Sequence, residues 1–599
     1  MRILMLAILL FILLPRASAS ARDLQSDMAT LLQSQKLQGA VWATLDSDGT
    51  VSVGASGVKN AGSGEKMRPE DRVHTGSVAK TLLATGVLRL VSQGRLSLDA
   101  PVSTLLPEVT FGNSWASHPV RLRHLLDHTS GLDDARFSQV FSLRPSADTP
   151  LANAFGGDRS LLHIRSRPGA RFSYSNMGYT LAGRVIEEVT MERYERYLNA
   201  NLLGPLGMHD SSFSFVAQAG PLSDPRLAMG HVENGVSQAA VPTFLRPAGQ
   251  FTSTAGDMAK LARFLMGDGR IGGAQFIDAR LLQAMGLPNG TEAANAGLRV
   301  GFGLGLGTRD RHGAIGKCHG GSTVGYRAMF CLFPQQRKAY FVAVNTDSET
   351  ANYGALDNLM LEALSVGPQE IEPAPEVAFD PADWVGYYVP APNRFATFAW
   401  VDTVFNFVRL RKVGGGLSFA PFQSPAVELT QVRGALFRAH GRLSASHVLL
   451  TSDTGERVIS TGSQSYEKVS LVRLASLWAS LLLGLLGMAC IVGRWIVPGS
   501  TRRMSLTDPL LAPFIGIVAL LLPIPLLYSQ SFLELGDFTL AGGLLAAVTG
   551  LLPLAMLAGL GVSMGRSHKR VLDIAAMLAV LQLTTVLAFW GLLPLRLWA

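Results

Sequence analysis

Cysteine and charge are both scarce in this 599-residue chain. It has only three cysteines, which is too few for a scaffold held together by disulfides. No cluster of cysteine and histidine has the spacing of a metal site. His124 and His128 lie four residues apart on a predicted helix, but no third ligand accompanies them. The sequence therefore gives no reason to expect a metal or an organic cofactor.

Charged residues make up only 16% of the chain, and long apolar segments near the C-terminus account for most of this deficit. Four such segments follow one another, at residues 474–497, 510–529, 540–561 and 571–593. Each is close to the roughly 20 residues that a helix needs to cross a bilayer. They predict a membrane domain with four transmembrane helices over residues 471–599.

The charges between these segments predict the orientation of the chain in the membrane. The second loop carries Glu534 and Asp537 and no lysine or arginine. The first and third loops and their flanks are basic, with Arg494, Arg502, Arg503, Arg566, His568, Lys569 and Arg570. Because basic loops stay in the cytoplasm, the region before the spans and the extreme C-terminus are predicted to lie outside it.

The N-terminus has the pattern of a secretory signal peptide over residues 1–19. Arg2 precedes an apolar run at residues 3–14, and Ala17-Ser18-Ala19 forms a cleavage site of small residues. The alternative is an uncleaved anchor, but the run is short for a membrane span. Both ends therefore predict a multi-pass protein of a bacterial cytoplasmic membrane, with its soluble region on the periplasmic or extracellular side. The net charge of +8 does not indicate nucleic-acid binding, because an exported region would not meet DNA.

Ser77-Val78-Ala79-Lys80 is the first motif with catalytic potential. Ser77 and Lys80 are three residues apart, so a helix would place both side chains on one face. Residues 81–90 are apolar enough for a buried helix, and burial would allow Lys80 to lose its proton and activate the serine. The alternative is a helix cap followed by a solvated lysine. A second copy, Ser465-Tyr466-Glu467-Lys468, lies just before a membrane segment, and we interpret it as accidental.

Tyr174-Ser175-Asn176 is the second motif. It follows a turn signal at residues 168–173 and precedes a helical pattern at residues 178–189. At such a junction the tyrosine hydroxyl and the asparagine amide can both face a cleft. The alternative is an asparagine cap beside a core tyrosine.

His319-Gly320-Gly321-Ser322 is the third motif. It lies in a predicted strand-turn-strand pattern with extended runs at residues 314–319, 325–333 and 340–345. Glycines there would permit close approach of a ligand backbone, and a backbone N–H could complete an oxyanion hole with that of Ser77. The alternative is an ordinary tight hairpin.

Two further features of the sequence need separate interpretation. Cys318 and Cys331 lie on the two arms of this hairpin, and the sequence leaves open whether they form a disulfide. Gly561-Val562-Ser563-Met564-Gly565 matches a G-x-S-x-G nucleophile elbow. It lies at the end of an apolar span with no preceding strand pattern, so we interpret it as a coincidence of small residues.

The three motifs, in this order, resemble the serine β-lactamase and penicillin-binding-protein superfamily, specifically the class C β-lactamase-like branch. Supporting blocks read HLLDHTSGL at 124–132, PLGM at 205–208 and HGGSTVGYRA at 319–328. The resemblance covers about residues 33–364. It implies an α/β (α+β) fold in which an antiparallel sheet is flanked by helices and a helical subdomain adjoins it, with the cleft between them.

The resemblance also implies a role for each motif residue. Ser77 would be the acylated nucleophile, and Lys80 and Tyr174 would share the general-base work. Asn176 would bind a substrate amide, and the backbone N–H groups of Ser77 and Ser322 would form the oxyanion hole. Gly320 and Gly321 would lie along the bound substrate.

His319 stands where many β-lactamases carry a lysine, so a fixed cation becomes a mostly neutral imidazole. This departure puts efficient β-lactamase activity in doubt. Peptidase, amidase and esterase chemistry stay open. Arg327 is an alternative source of positive charge, although a structural role suits it better.

The predicted domain order is a signal peptide at 1–19, a catalytic domain at 20–367, a proline-rich linker at 368–381, a β-rich domain at 382–470 and the membrane domain. Relatives with a small β-barrel-like domain after the catalytic domain suggest the same fold for the β-rich region. Its expected task is to pack against the catalytic domain or to space it from the bilayer.

The predicted function is that of a membrane-anchored serine hydrolase that forms an acyl-enzyme on an amide or ester. The substrate would be a small molecule or a peptide, D-amino-acid-containing or N-acylated. The lipid bilayer is the second expected partner, and the sequence leaves protein partners unknown. The alternatives are a ligand sensor that signals through the spans and, with little support, a transporter.

Overall fold

The computed structural model describes residues 23–156, 159–367, 379–496, 505, 507–565 and 570–598. The predicted signal peptide and most of the predicted linker lie outside these residues. The described residues form a mixed α and β unit, an eight-stranded barrel and a bundle of apolar helices.

An eight-stranded antiparallel sheet is the centre of the first unit. From edge to edge its strands are Gly301–Phe302, Gly307–Arg311, Ala314–Thr323, Tyr326–Phe333, Lys338–Val344, Gly39–Leu45, Val51–Asn60 and Glu65–Lys66. The helices of this unit are Leu24–Ser34, Ala79–Ser92, Val102–Leu105, Leu122–Leu126, Phe137–Val140, Asn176–Thr190, Tyr194–Leu198, Arg246–Gly249, Ala255–Leu265, Ala279–Ala284, Glu292–Asn295 and Gly354–Ala363. This arrangement confirms the predicted fold class.

Both faces of the sheet are covered, and strand Lys338–Val344 shows why. Alternate side chains of a strand point to opposite faces. Phe341 packs into the core that contains helix Ala255–Leu265, whereas Val342 packs against helices Leu24–Ser34 and Gly354–Ala363. Each fully buried apolar side chain of this size contributes roughly 1.5–3 kcal/mol, so the sheet is a firm support for the residues at its edge.

The strand that carries the third motif departs from the prediction. Strand Ala314–Thr323 continues through Gly320 and Gly321, and the turn comes only at Val324 and Gly325. The predicted glycine-rich turn at Gly320 and Gly321 is therefore wrong. A Cβ added to Gly321 would lie 1.9 Å from the carbonyl oxygen of Thr75, so Gly321 permits a close approach between the strand and the chain at Thr75.

Cys318 and Cys331 lie directly opposite each other on neighbouring antiparallel strands. They form a disulfide. The question that the sequence left open is thus answered, because the register of this strand pair decides it.

The second part is a closed barrel, in agreement with the predicted β-rich domain. Its strands are Gly386–Pro390, Val408–Val413, Gly416–Pro421, Val427–Arg433, Leu436–Ala439, His447–Thr451, Arg457–Ser460 and Ser465–Val469. A short helix, Ala399–Phe405, is inserted after the first strand. The alternating pattern of residues 405–410 predicts a strand that begins at Phe405, but Phe405 ends this helix and the strand begins at Val408.

The barrel is fastened to the sheet unit by ion pairs and backbone contacts. Arg171 is buried and joins Glu292 of the sheet unit at 2.7 Å to Glu467 of the barrel at 2.5 Å. The carboxylate of Asp310 accepts hydrogen bonds from the backbone N–H groups of Leu443 and Ser444 at 2.7 and 2.8 Å. The barrel thus packs against the catalytic region, as predicted.

Four helices of the last part are long and apolar enough to span a membrane: Leu471–Ile496, Leu511–Ser529, Leu540–Met564 and Val571–Phe589. The second is interrupted before Pro523, which cannot donate the hydrogen bond of a regular helix. The first and fourth pack closely, since a Cβ added to Gly484 would lie 2.3 Å from Leu583. Ser480 and Gln582 also hydrogen-bond between these two helices, a contact typical of membrane interfaces.

The orientation of this bundle stays a prediction. Most of the basic loop residues on which it rests lie outside the described residues.

Candidate active site

Ser77 lies in a 3₁₀ turn, Gly76–Val78, that leads directly into helix Ala79–Ser92. Gly76 has a φ of +54°, and a Cβ there would lie 2.7 Å from the backbone of Ser322. Glycine therefore lets the turn and the sheet edge meet. Because most of the following helix is buried, the packing of that helix fixes the position of Ser77.

The hydroxyl of Ser77 has two neighbours that can exchange protons with it. Its Oγ lies 2.8 Å from the hydroxyl of Tyr174 and 2.9 Å from Nζ of Lys80. Nζ of Lys80 also lies 2.8 Å from Oδ1 of Asn176 and 2.5 Å from the carbonyl oxygen of Ala248. The structure thus brings together the first two predicted motifs.

The protonation states of Lys80 and Tyr174 differ from those of exposed residues. Burial lowers the pKa of Lys80 to about 7, with the nearby Asp134 carboxylate opposing the shift and Arg394 adding to it. Burial raises the pKa of Tyr174 above its usual value, although its hydrogen bond with Ser77 opposes the shift. Near neutral pH a substantial fraction of Lys80 is therefore an uncharged amine, while Tyr174 keeps its proton.

The hydrogen bonds of Lys80 can be made by the ammonium, which donates to all three oxygens, and also by the uncharged amine. Such an amine has two N–H donors and one lone pair. The donors are used by Asn176 and Ala248, which leaves the lone pair directed at the Ser77 hydroxyl. Lys80 is accordingly the side chain best placed to accept the serine proton.

Asp134 organises this cluster, although the sequence analysis did not single it out. Its Oδ1 accepts hydrogen bonds from the backbone N and Nδ2 of Asn176 at 2.7 and 2.6 Å, and its Oδ2 accepts one from Nε of Arg394 at 2.6 Å. With Nδ2 held by Asp134, the amide oxygen of Asn176 must face Lys80. The predicted contact of Asn176 with a substrate amide stays a prediction, which the second lone pair of this oxygen permits.

Arg394 comes from the segment after the first barrel strand and was also missed. It lies 260 residues from Asp134 in the sequence, and its guanidinium is 4.8 Å from the centre of the Tyr174 ring. Neighbouring contacts hold the segment in place, since Arg165 donates to Asn393 at 3.0 Å and Asp133 accepts from the backbone N–H of Ala396 at 2.9 Å. In the sequence, the adjacent acids Asp133 and Asp134 directly follow the HLLDHTSGL block. This pair was the feature from which the site could have been predicted.

His128, which belongs to the HLLDHTSGL block, packs against Tyr174. Its ring stacks on that of Tyr174, with the centres 4.2 Å apart, and its Nδ1 accepts a hydrogen bond from the backbone N–H of Ser175 at 3.1 Å. Burial holds the pKa of His128 well below its usual value. It is a neutral residue that positions Tyr174.

The third motif lies beside Ser77. His319 is buried, and its Nδ1 donates to the carbonyl oxygen of Gly320 at 2.7 Å. The other ring nitrogen has no hydrogen-bond partner among the described residues. Burial lowers the pKa of His319 to about 3, so the imidazole is neutral, and Nε2 presents a lone pair. Arg327 is paired with Asp347 at 2.6 Å, which supports its structural interpretation.

A cavity of about 1150 Å³ opens above Ser77. Its wall includes Tyr174, Asn176, His319, Gly320, Gly321 and Ser322. Helix Phe137–Val140 forms another side. The barrel contributes Pro392, Arg394, Phe395 and Phe398, so it completes the wall of the cleft in addition to packing beside it.

This architecture can be compared with known proteins. A sequence profile of the family described as Beta-lactamase matches residues 24–365, which is more than half of the chain. The chain belongs to the Beta-lactamase family. The family resemblance inferred from the motifs is thereby confirmed.

Relatives within the family carry different names. The chain is 30% identical over 229 residues to penicillin-binding protein 4 of Amycolatopsis lactamdurans, covering 37% of this chain and 58% of that protein. It is 34% identical over 209 residues to the esterase EstB of Burkholderia gladioli, covering 33% and 53%. The chain thus spans a little over half the length of these curated relatives.

The crystal structure of SurE shares the fold, with a TM-score of 0.51 at 23% identity, over 75% of this chain and 99% of that one. SurE bound to D-Leu gives a TM-score of 0.50 at 22% identity, over 74% and 98%. Both structures align with a larger share of this chain than residues 24–365 make up. The similarity in fold therefore extends beyond the segment that matches the family.

Proposed function

We propose that this chain is a serine hydrolase that forms an acyl-enzyme on an amide or ester substrate. The observation that carries the proposal is the placement of the Ser77 hydroxyl between Lys80 and Tyr174, at 2.9 and 2.8 Å. One neighbour has a pKa suited to accepting a proton, and the other keeps its proton to donate. A solvated lysine beside a helix cap would have neither property.

The reaction follows from this arrangement. Ser77 Oγ attacks the substrate carbonyl carbon while its proton passes to Lys80, and the carbonyl oxygen becomes an oxyanion. The backbone N–H groups of Ser77 and Ser322 are proposed to stabilise that oxyanion. The leaving group departs with the proton held by Lys80, directly or by way of the Tyr174 hydroxyl. Water then attacks the carbonyl carbon of the acyl-enzyme and gives a proton to Lys80. The ester bond to Ser77 Oγ breaks, the proton returns to Oγ, and the carboxylic acid leaves.

The substrate class follows from the neutral ring of His319. The ring of His319 is uncharged and its Nε2 is buried, so this position offers no fixed positive charge, whereas a lysine there would attract a carboxylate. Relatives are named as a penicillin-binding protein and an esterase. We infer an amide or ester whose binding does not depend on a carboxylate at His319, such as a D-amino-acid-containing or N-acylated peptide.

The proposed site of action is the periplasmic or extracellular face of a membrane. The disulfide between Cys318 and Cys331 supports this, because disulfides persist in oxidising compartments. Asp537, in the loop that the charge pattern places outside, contacts Arg144 of the catalytic region at 2.7 Å. The loop and the catalytic region thus lie at the same end of the bundle.

A ligand sensor is the second candidate, and one observation favours it. The same loop is hydrogen-bonded to the segment after helix Phe137–Val140, which lines the cavity. A ligand that moves this segment on binding in the cleft would therefore also move the loop between the second and third membrane helices. A sensor can stop at the acyl-enzyme, whereas a hydrolase must release it.

The two candidates are separated by treating the full chain in detergent with a fluorophosphonate and with a fluorescent penicillin. Adducts are read by intact mass, and hydrolysis of a short nitrophenyl ester is followed in parallel. We expect one adduct per chain and repeated ester turnover. A stable penicillin adduct without turnover would favour the sensor. No adduct from either probe on folded protein would contradict both.

Arg394 gives a more specific prediction, because its charge helps to hold the pKa of Lys80 low. In Arg394→Gln the Asp134 carboxylate remains, so the pKa of Lys80 rises. The pH midpoint of Ser77 labelling by the fluorophosphonate should then move upward. At pH 6.5 the labelling rate should fall by less than about tenfold, since a whole pKa unit is tenfold in the protonation ratio.

Arg409→Gln is the matched control, because Arg409 is an exposed barrel arginine over a tyrosine ring, that of Tyr387 at 5.5 Å. It should leave the midpoint unchanged. An unchanged or lower midpoint in Arg394→Gln would show that Arg394 has no electrostatic role at Lys80.

A further inference from the structure

One wall of the cleft lies directly against the membrane domain. Helix Phe137–Val140 lines the cavity, and so does Phe141, the residue after it. The ring of Phe141 is 6.4 Å from that of Phe532, which lies in the loop between the second and third membrane helices. One short helix therefore separates the cavity from that loop.

Polar contacts fix this junction. The backbone N–H of Gly536 donates to the carbonyl oxygen of Phe141 at 2.7 Å. The carboxylate of Asp537 accepts hydrogen bonds from Ser142 Oγ at 2.5 Å, from the backbone N–H of Leu143 at 3.0 Å and from Nε of Arg144 at 2.7 Å. The cleft wall thus keeps a defined position relative to the membrane helices.

The side of the cleft that the barrel forms also contacts the membrane domain. Phe398 lines the cavity and lies 5.8 Å from the ring of Phe137. It comes directly before helix Ala399–Phe405, whose last ring is 5.4 Å from Trp478 in the first membrane helix. Helices Phe137–Val140 and Ala399–Phe405 therefore both lead from the cavity wall to the end of the bundle that faces the sheet unit and the barrel.

Exposed apolar side chains accompany the polar contacts between the cavity and the bundle. Val140, Leu143 and Phe532 are 41%, 46% and 38% exposed, and we call these three residues the apolar rim. Inside it, the cavity wall carries Phe137, Phe141, Phe395 and Phe398. Apolar side chains thus lie both on the cavity wall near Ser77 and on the surface beside the membrane helices, which fits an occupant with an apolar chain.

We propose that the substrate is a membrane-resident amphiphile, whose apolar chain lies along the rim while its amide or ester carbonyl reaches Ser77. The proposal rests on the hydrolase function above and names the substrate class for the same site. A water-soluble substrate would gain nothing from the rim. An amphiphile held in the bilayer is delivered at high effective concentration to a cleft that is fixed at the membrane surface.

The test uses the full chain reconstituted in vesicles of phosphatidylcholine and phosphatidylglycerol. Two fluorophosphonates are compared, one with an ethyl chain and one with a hexadecyl chain that partitions into the bilayer. At equal total concentration the hexadecyl probe should label Ser77 at least about tenfold faster, because each buried methylene adds to binding. Equal rates would overturn the proposal. No labelling by either probe would instead overturn the hydrolase function itself.

A variant of the rim adds a second, independent arm. Leu143→Asp should slow the hexadecyl probe about tenfold, because burying a charge among apolar groups is unfavourable. The ethyl probe should label it as fast as the wild type, which also reports that the site is folded. Val53→Asp is the matched control, an exposed valine (47%) on strand Val51–Asn60, and it should change neither rate. A Leu143→Asp chain that keeps the wild-type preference for the hexadecyl probe would refute the role of the rim.

Discussion

Replacing Ser77 by alanine should abolish both covalent labelling and ester turnover while leaving the fold intact. Removal of a nucleophile lowers turnover by at least about 10⁴-fold in serine hydrolases. The change removes one oxygen from a half-buried side chain, and the apolar contacts of helix Ala79–Ser92 remain. The measurements are adduct mass after fluorophosphonate treatment, turnover of a nitrophenyl ester, and the thermal midpoint of unfolding.

Ser465→Ala is the matched control for this experiment, since Ser465 begins the second S-x-x-K sequence of the chain. It lies on strand Ser465–Val469, where residues three apart point to opposite faces. Its Oγ is hydrogen-bonded to Ser460 at 3.1 Å. We expect full labelling and turnover in Ser465→Ala. Undiminished turnover in Ser77→Ala would end the proposed mechanism.

Replacing Lys80 by arginine should lower the labelling rate about 10³-fold or more. A guanidinium has no lone pair to accept the serine proton and cannot be deprotonated at accessible pH. In the wild type the rate should rise with pH through a midpoint near 7, the pKa of the buried Lys80. The sign follows because the ammonium form, which predominates below that pH, has no free lone pair. Above it the amine form predominates and the rate becomes constant.

The measurement is the fluorophosphonate labelling rate between pH 5 and pH 9. Lys468→Arg is the matched control, because Lys468 ends the second S-x-x-K sequence and donates to the carbonyl oxygen of Asp383 at the surface. It should retain the wild-type pH profile. A wild-type rate independent of pH, or an active Lys80→Arg chain, would assign the base to another group.

The sequence alone was sufficient where chemistry depends on local spacing. Ser77 and Lys80 were predictable because residues three apart share a helix face, and the apolar run after them predicts the burial that lowers the pKa of Lys80. The four membrane helices were predictable for a similar reason. Length and hydropathy are properties of one segment, and the helices at Leu471–Ile496 and Leu540–Met564 begin and end within a few residues of the predicted segments.

Strand and turn boundaries were less predictable. Gly320 and Gly321 resemble turn residues in the sequence, but they lie inside a strand, and the chain at Thr75 closely approaches Gly321. Nothing near these glycines in the sequence signals that approach. The disulfide between Cys318 and Cys331 depended in the same way on strand register, which is a property of two segments together.

The groups that shift the pKa of Lys80 could be identified only from the tertiary structure. Asp134 and Arg394 are 260 residues apart in the sequence and come from different parts of the fold, yet they meet at 2.6 Å beside Tyr174. The sequence by itself was sufficient to predict the pairing of Ser77 with Lys80 and the membrane helices. The folded chain alone determined their electrostatic surroundings and the apolar rim at the membrane. The physical reason is that contacts between distant segments depend on how complete domains pack, which short motifs do not encode.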